Sequence, residues 1–308
     1  MRIDQILETT RPCFSVEFFP PKTDEGRETL FETVEVLREM DPAYFSVTYG
    51  AGGATRHGTV EICAAIKRDH GVEAMAHLSC VGETVEGIRE ILDEIVAAGI
   101  ENVLALRGDP PRGKPNFVQP EGGLGSAAEL TALISEHYPQ LAIGGACFPE
   151  VHPEAESLEA DLAYLKTKID NGASFLITQL FFDNRHYFSF VEAARAAGIE
   201  VPIIAGIMPI TNFEQVKRFT TMCGASIPAA LFEQLEARQQ EGDEAVTELG
   251  VAYATLQCAD LLERGAPGIH FYTLNKSPAT RAILSALKAW QPSERAHASA
   301  PAPLHQPS

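Results

Sequence analysis

Eight short runs of apolar, β-prone residues recur along the chain: Cys13–Phe19, Tyr44–Tyr49, Glu73–Ser79, Glu101–Leu106, Leu141–Cys147, Ser174–Leu180, Val201–Ile207 and Gly268–Tyr272. Each is almost continuously apolar rather than alternating, the pattern of parallel strands covered on both faces. The stretches between them are amphipathic. Leu158, Leu162, Leu165 and Ile169 line one helical face, with Ser157 placed to cap its start and Asn171-Gly172 to end it. Ile88, Ile91, Leu92 and Ile95 form a similar stripe within Thr84–Ala98, followed by Gly99. Ser277-Pro278 opens a last helix with proline at its first position.

Six of the seven intervals between strands fit one βα unit; the seventh is about twice as long. Its extra length, Ile227–Arg264, carries helical stripes and predicts one or two additional helices before strand eight. Eight such units point to an α/β fold of the closed (β/α)8, or TIM-barrel, type. The rival is a doubly wound open sheet, which places a glycine-rich turn after its first strand. Here strand one runs into Pro20-Pro21-Lys22, and neither GxGxxG nor GxxxxGK[ST] occurs. Residues 1–290 are expected to form a single catalytic barrel. The stretch 291–308, rich in Pro, Ala, Ser and His, is expected to be a disordered tail.

Charge narrows the function. The 24 basic and 42 acidic residues leave a formal charge of −18, which argues against a nucleic-acid partner. No apolar run is long enough to span a bilayer, and the first residues lack the apolar core of a signal peptide, so a cytoplasmic protein without a membrane partner is expected. The six cysteines include no CxxC pair, so they read as small buried hydrophobes. No His or Cys set has clear metal spacing, and no metal is expected.

In a barrel the chemistry gathers at the C-terminal strand ends. The polar residues there are Glu17 in strand one, Thr48-Tyr49-Gly50-Ala51-Gly52-Gly53 after strand two, His77 in strand three and Arg107-Gly108-Asp109 after strand four. They continue with Phe148-Pro149-Glu150-Val151-His152 after strand five, Gln179 at the end of strand six and Tyr272-Thr273-Leu274-Asn275-Lys276 at strand eight. Glu17 in an apolar strand is either half of a structural ion pair or a general acid. Arg107 and Asp109 either pair with each other or serve a ligand. His77 reads as a core histidine, the glycines as a tight turn or a wall for a flat cofactor, and Gln179 as a buried amide that needs partners. Together they suit a flat heteroaromatic ligand.

Six motifs, in order, resemble the methylenetetrahydrofolate reductases: Ser15-Val16-Glu17-Phe18-Phe19-Pro20-Pro21, Ser46-Val47-Thr48-Tyr49-Gly50-Ala51-Gly52-Gly53, Leu106-Arg107-Gly108-Asp109-Pro110, Pro149-Glu150-Val151-His152-Pro153-Glu154, Ile177-Thr178-Gln179 with Phe182-Asp183, and His270-Phe271-Tyr272-Thr273-Leu274-Asn275. The resemblance runs from about Cys13 to Leu287 and is to the bacterial form that consists of the catalytic domain alone. It implies an FAD-containing barrel that reduces 5,10-methylenetetrahydrofolate to 5-methyltetrahydrofolate with NADH or NADPH. The reaction would be ping-pong, in one-carbon metabolism and methionine biosynthesis, and the protein a homo-oligomer. By the same resemblance Glu17 is the acid that opens the methylene bridge, and Asp109 is the carboxylate near flavin and pterin. Thr48, Tyr49, Ala51, His77, Arg107, Gly108, Asp109, Ala127, Phe148, His152, Asp161 and Lys168 are implied at the cofactors. Asp109, Gln179, Gln215, Phe219 and Lys276 are implied at the substrate. Two positions depart from the family pattern: Phe148 stands where tyrosine is common, and Lys276 where an arginine often meets folate's glutamate tail. The alternative is another FAD barrel of the proline dehydrogenase type, which needs a carboxylate-binding arginine pair rather than Glu17.

Overall fold

A computed structural model describes residues 1–49, 56–109 and 117–289. In chain order the elements are α1 (Ile3–Thr9), β1 (Cys13–Phe18), α2 (Asp24–Arg38), β2 (Tyr44–Val47), α3 (Arg56–His70), β3 (Glu73–Ser79), α4 (Val85–Ala97), β4 (Asn102–Leu106) and α5 (Ala127–His137). They continue with β5 (Ala142–Cys147), α6 (Leu158–Asp170), β6 (Phe175–Thr178), α7 (Asn184–Ala196), β7 (Ile203–Ile207), α8 (Phe213–Cys223), α9 (Ala229–Gln239), α10 (Asp243–Glu263), β8 (Gly268–Tyr272) and α11 (Pro278–Ala289). The eight strands close into a barrel in sequence order, all parallel, with β1 paired to both β2 and β8. The long seventh interval holds α9 and α10, the upper of the two numbers expected.

The helix boundaries follow the local chemistry. Thr23, Thr84, Ser126, Ser157 and Asn212 each accept a hydrogen bond from a backbone N–H in the first turn of the helix they precede. The strands are buried almost throughout, as their unbroken apolar runs require. Ile88, Ile91, Leu92 and Ile95 pack into the shell between barrel and helices.

The barrel interior is filled by a separate cluster. Cys13, Tyr44, Met75, Leu104, Ala142, Phe175, Ile177 and Ile204 point inward from the strands and meet Ile3, Ile6 and Leu7 of α1. Helix α1 therefore closes the N-terminal end of the barrel like a stopper, an element the hydrophobic pattern did not announce. It is tied down where strands begin: Ile3 N donates to Asn102 Oδ1 at 2.7 Å, and Arg2 Nη1 donates to the Pro139 carbonyl at 3.2 Å. With that end sealed, the opposite, C-terminal end is the open one.

Candidate active site

Glu17 sits near the end of β1 with its side chain 7% exposed. Its register neighbours are Ser46 on β2 and Tyr272 on β8, and two residues lower Ser15 lies between Tyr44 and His270. Strand periodicity thus turns Ser15, Glu17, His270 and Tyr272 toward the same space. Glu17 Oε2 is 3.4 Å from Nε2 of both His270 and His77. His270 Nδ1 is in turn 2.8 Å from Ser15 Oγ. Thr273 Oγ1 donates to the Glu17 carbonyl at 2.8 Å, fixing the strand end. Burial drives the His77 imidazole down to about 4, with His270 adding to the effect and the Glu17 charge opposing it. His77 is therefore neutral near pH 7, and its buried Nε2 lacks a hydrogen-bond partner. This is a buried carboxyl with one histidine on each side of it at 3.4 Å.

A second group lines the rim from β4 to α6. Arg107 forms a two-pronged ion pair with Glu154, Nη2 donating to Oε1 at 2.9 Å, and its guanidinium lies 5.0 Å from the Phe117 ring. The expected structural alternative, a pair between Arg107 and Asp109, is not what forms; Asp109 is exposed. Gly108 has φ +89°, and a Cβ there would come within 2.1 Å of Ser79 Oγ, so only glycine fits this turn. The His152 N–H donates to Asp161 Oδ2 at 2.9 Å, its ring meets Phe148 edge-on at 4.5 Å, and its Nδ1 accepts from the Glu154 N–H at 3.0 Å. Burial also lowers the His152 imidazole. Lys168 is 6% exposed; its Nζ donates to the Ala146 carbonyl, and no carboxylate lies within 4 Å among the described residues. Burial depresses its ammonium.

A third group faces from β6 to β8. Gln179 is half-buried, and its Oε1 accepts from the Leu180 N–H at 2.9 Å. Together with Phe148 it lines a narrow crevice. Gln215 and Phe219 sit one helical turn apart on α8, both partly exposed. Tyr272 donates to the Thr178 carbonyl at 2.6 Å. A Cβ at Gly206 would lie 2.7 Å from the Tyr272 hydroxyl, so that glycine lets the ring lie against β7. Lys276 is exposed, on the wall of a cavity of about 320 Å³. Thr48 and Tyr49 follow β2; the Thr48 carbonyl accepts from Thr59 Oγ1 at 2.9 Å, and the Tyr49 hydroxyl is 3.3 Å from Glu83 Oε1. Ala127 is the buried first residue of α5. Ala51, its glycine neighbours and residues 290–308 lie outside the described residues.

The geometry adds Ser15, His270 and Glu154 to the expected set, and it brings the strand-end candidate Tyr272 beside Glu17. His270 and Tyr272 were signalled by their alternate positions in strand eight, two apart like Ser15 and Glu17 in strand one. The Arg107–Glu154 pair had no signal, because 47 residues separate its members. Among the described residues no group of His, Cys, Asp and Glu could hold a metal ion, and no helix is long and apolar enough to cross a membrane.

Fold and site together define a (β/α)8 barrel of the enzyme type, with its buried ionisable groups collected at the C-terminal strand ends. The family model for methylenetetrahydrofolate reductase matches residues 2–288. The chain belongs to the methylenetetrahydrofolate reductase family. It is 39% identical over 276 residues to 5,10-methylenetetrahydrofolate reductase of Escherichia coli K12, covering 89% of this chain and 90% of that one. It is 41% identical over 293 residues to methylenetetrahydrofolate reductase (NADH) 1 of Arabidopsis thaliana, covering 92% of this chain and 49% of the plant protein. The chain thus spans about half the length of the plant relatives it matches. Among solved structures, a protein from Clostridium thermocellum described as binding two copies of 5-methyl-5,6,7,8-tetrahydrofolic acid superposes with a TM-score of 0.62 at 17% identity, covering 94% of this chain and 98% of that one. At that identity the likeness shows the fold.

Proposed function

We propose that this barrel reduces 5,10-methylenetetrahydrofolate to 5-methyltetrahydrofolate, with NADH or NADPH as donor and FAD as cofactor. The carrying observation is Glu17: a buried carboxyl at the open end of the barrel, between His270 and His77. The family match and the similarity to bacterial reductases over nearly their whole length support the same reading. They favour it over a proline dehydrogenase type.

The residues present fit FAD. A buried lysine with no carboxylate within 4 Å among the described residues suits an anionic diphosphate. Lys168, Asp161 and His152 would hold the diphosphate and ribose side. Thr48, Tyr49, His77, Arg107, Gly108, Ala127 and Phe148 would hold the rest, with Asp109 at the reacting end. When bound, FAD supplies a two-electron relay between nicotinamide and folate, which occupy the site in turn.

The chain's own residues supply orientation and a proton. Opening the methylene bridge releases a ring nitrogen that must be protonated, and Glu17 is placed to give that proton at Oε1 or Oε2. His270, held by Ser15, fixes the carboxyl. Gln179 and Asp109 would meet the polar edge of the pterin, Phe219 and Gln215 its face and flank, and Lys276 its tail.

Glu17→Gln keeps the shape of the site but cannot donate. In anaerobic stopped-flow, reduction of the protein by NADH is expected at near wild-type rate, while reoxidation by methylenetetrahydrofolate falls by about 10²–10⁴-fold. Equal slowing of both half-reactions would mean that Glu17 is structural.

A further inference from the structure

Glu150, in the turn after β5, reaches the linker between α8 and α9. The Ser226 N–H donates to both of its carboxylate oxygens at 3.1 Å, and Ser226 Oγ donates to Oε2. His186, in the first turn of α7, brings its Nε2 to 3.6 Å from Oε2. Among the described residues, the hydrogen bonds from the linker 224–228 to other elements go to Glu150. The end of α8 meets the same segment a second time: Gly224 stops the helix at φ +74°, and a Cβ on it would lie 3.0 Å from Pro153 Cγ. The turn itself is held firmly. Val151 has φ +70°, which a β-branched residue adopts only where its neighbours hold it there. The holds on either side are Glu150 on Ser226 and the His152 N–H on Asp161.

The two ends of α8 are anchored differently. Asn212 caps its start, where Phe213 and Val216 are buried. From Thr221 to Pro228 no side chain is buried, so the far end depends on its polar contact. Phe219 lies about one turn before that end and Gln215 about two. We infer that Glu150 is a positioning residue: its carboxylate clamps the far end of α8 to the β5 turn, and so sets how Phe219 and Gln215 stand relative to Phe148, His152 and Gln179. The inference rests on the reading above, in which α8 meets the substrates. With the clamp cut, the helix pivots on its buried start and Phe219 is displaced most. A ligand must then re-seat the helix in order to bind, which weakens its apparent affinity. Once the ligand is seated, the chemical step is unchanged.

The test compares Glu150→Gln and Ser226→Ala with the wild type, each loaded with FAD. Glu150→Gln leaves one acceptor and turns an amide donor toward the Ser226 N–H, while Ser226→Ala removes the Oγ donor alone. In equilibrium titration with 5-methyltetrahydrofolate, the dissociation constant should rise about three- to tenfold in Glu150→Gln and about twofold in Ser226→Ala. The NADH concentration that half-saturates anaerobic flavin reduction should rise in parallel. The limiting rate of that reduction and the affinity for FAD should stay at the wild-type level. The double variant should bind no more weakly than Glu150→Gln, because both changes cut one contact. If Glu150→Gln does not fold, Ser226→Ala carries the test alone through the same rise. Unchanged constants overturn the inference, and so do additive losses in the double variant. A loss confined to FAD affinity or to the limiting rate also overturns it, since Glu150 would then support only the cofactor turn. A wild-type protein that neither binds 5-methyltetrahydrofolate nor is reduced by NADH overturns the functional reading itself.

Discussion

At the scale of the residue, Glu17 and His77 lie 3.4 Å apart in a buried pocket with no hydrogen bond between them. His77 is held neutral by burial against Glu17, down to about 4. In the unfolded chain the same imidazole titrates near its ordinary value of about 6.5. Between these values the unfolded state binds the extra proton, so stability rises with pH there. The contribution is complete above about 6.5 and is lost as pH falls toward about 4. Urea unfolding across this window should show the wild type weakening as the pH drops, and His77→Gln should show a flatter profile. That Glu17 would be a buried carboxyl was legible in the sequence, since it stands alone in an apolar strand. Its brace was less so: His270 was one residue in a quoted motif, and only the β1–β8 register brings it to Glu17. For Arg107 the sequence offered two partners, Asp109 two positions on or a ligand. The fold instead delivers Glu154 from beyond β5, and a two-pronged carboxylate holds a guanidinium better than a side chain two positions along the same turn.

Among the elements, the strands were readable because a parallel sheet covered on both faces leaves no polar positions to break an apolar run. The helices were readable from their stripes and capping residues; Ser157 caps as expected. Helix α1 was not, because seven residues give too few turns for a periodic signal. Yet Leu7 is 1% exposed and Ile3 is fully buried within the barrel floor. Leu7→Ala leaves a hole where no strand can relax inward. It should cost about 2–5 kcal/mol, read as a lower denaturation midpoint with little change in the kinetics of the distant open end. An unchanged midpoint would show that α1 covers the barrel without supporting it.

For the whole molecule, one end of the barrel is sealed and the other carries every group assigned to the chemistry. In a chain whose excess charge is negative, Lys168, Arg107 and Lys276 are cations at that mouth. On the proposed reading, electron donor and folate follow each other through that opening. Initial-rate plots for one substrate at several fixed levels of the other should be parallel lines, the mark of a reaction that proceeds by alternation. Lines that intersect would mean that both substrates are held together.

The pairing of β1 with β8 also sets a schedule for synthesis. Glu17 emerges from the ribosome early, but its neighbours His270 and Tyr272 belong to the last strand made, some 250 residues later. Until that strand arrives, the nascent sheet has two open edges, at β1 and β7, each a template for the wrong partner. The contact between Glu17 and His270 forms only when the ring is joined. A polypeptide released before Gly268 would hold Glu17 and His77 but neither His270 nor Tyr272.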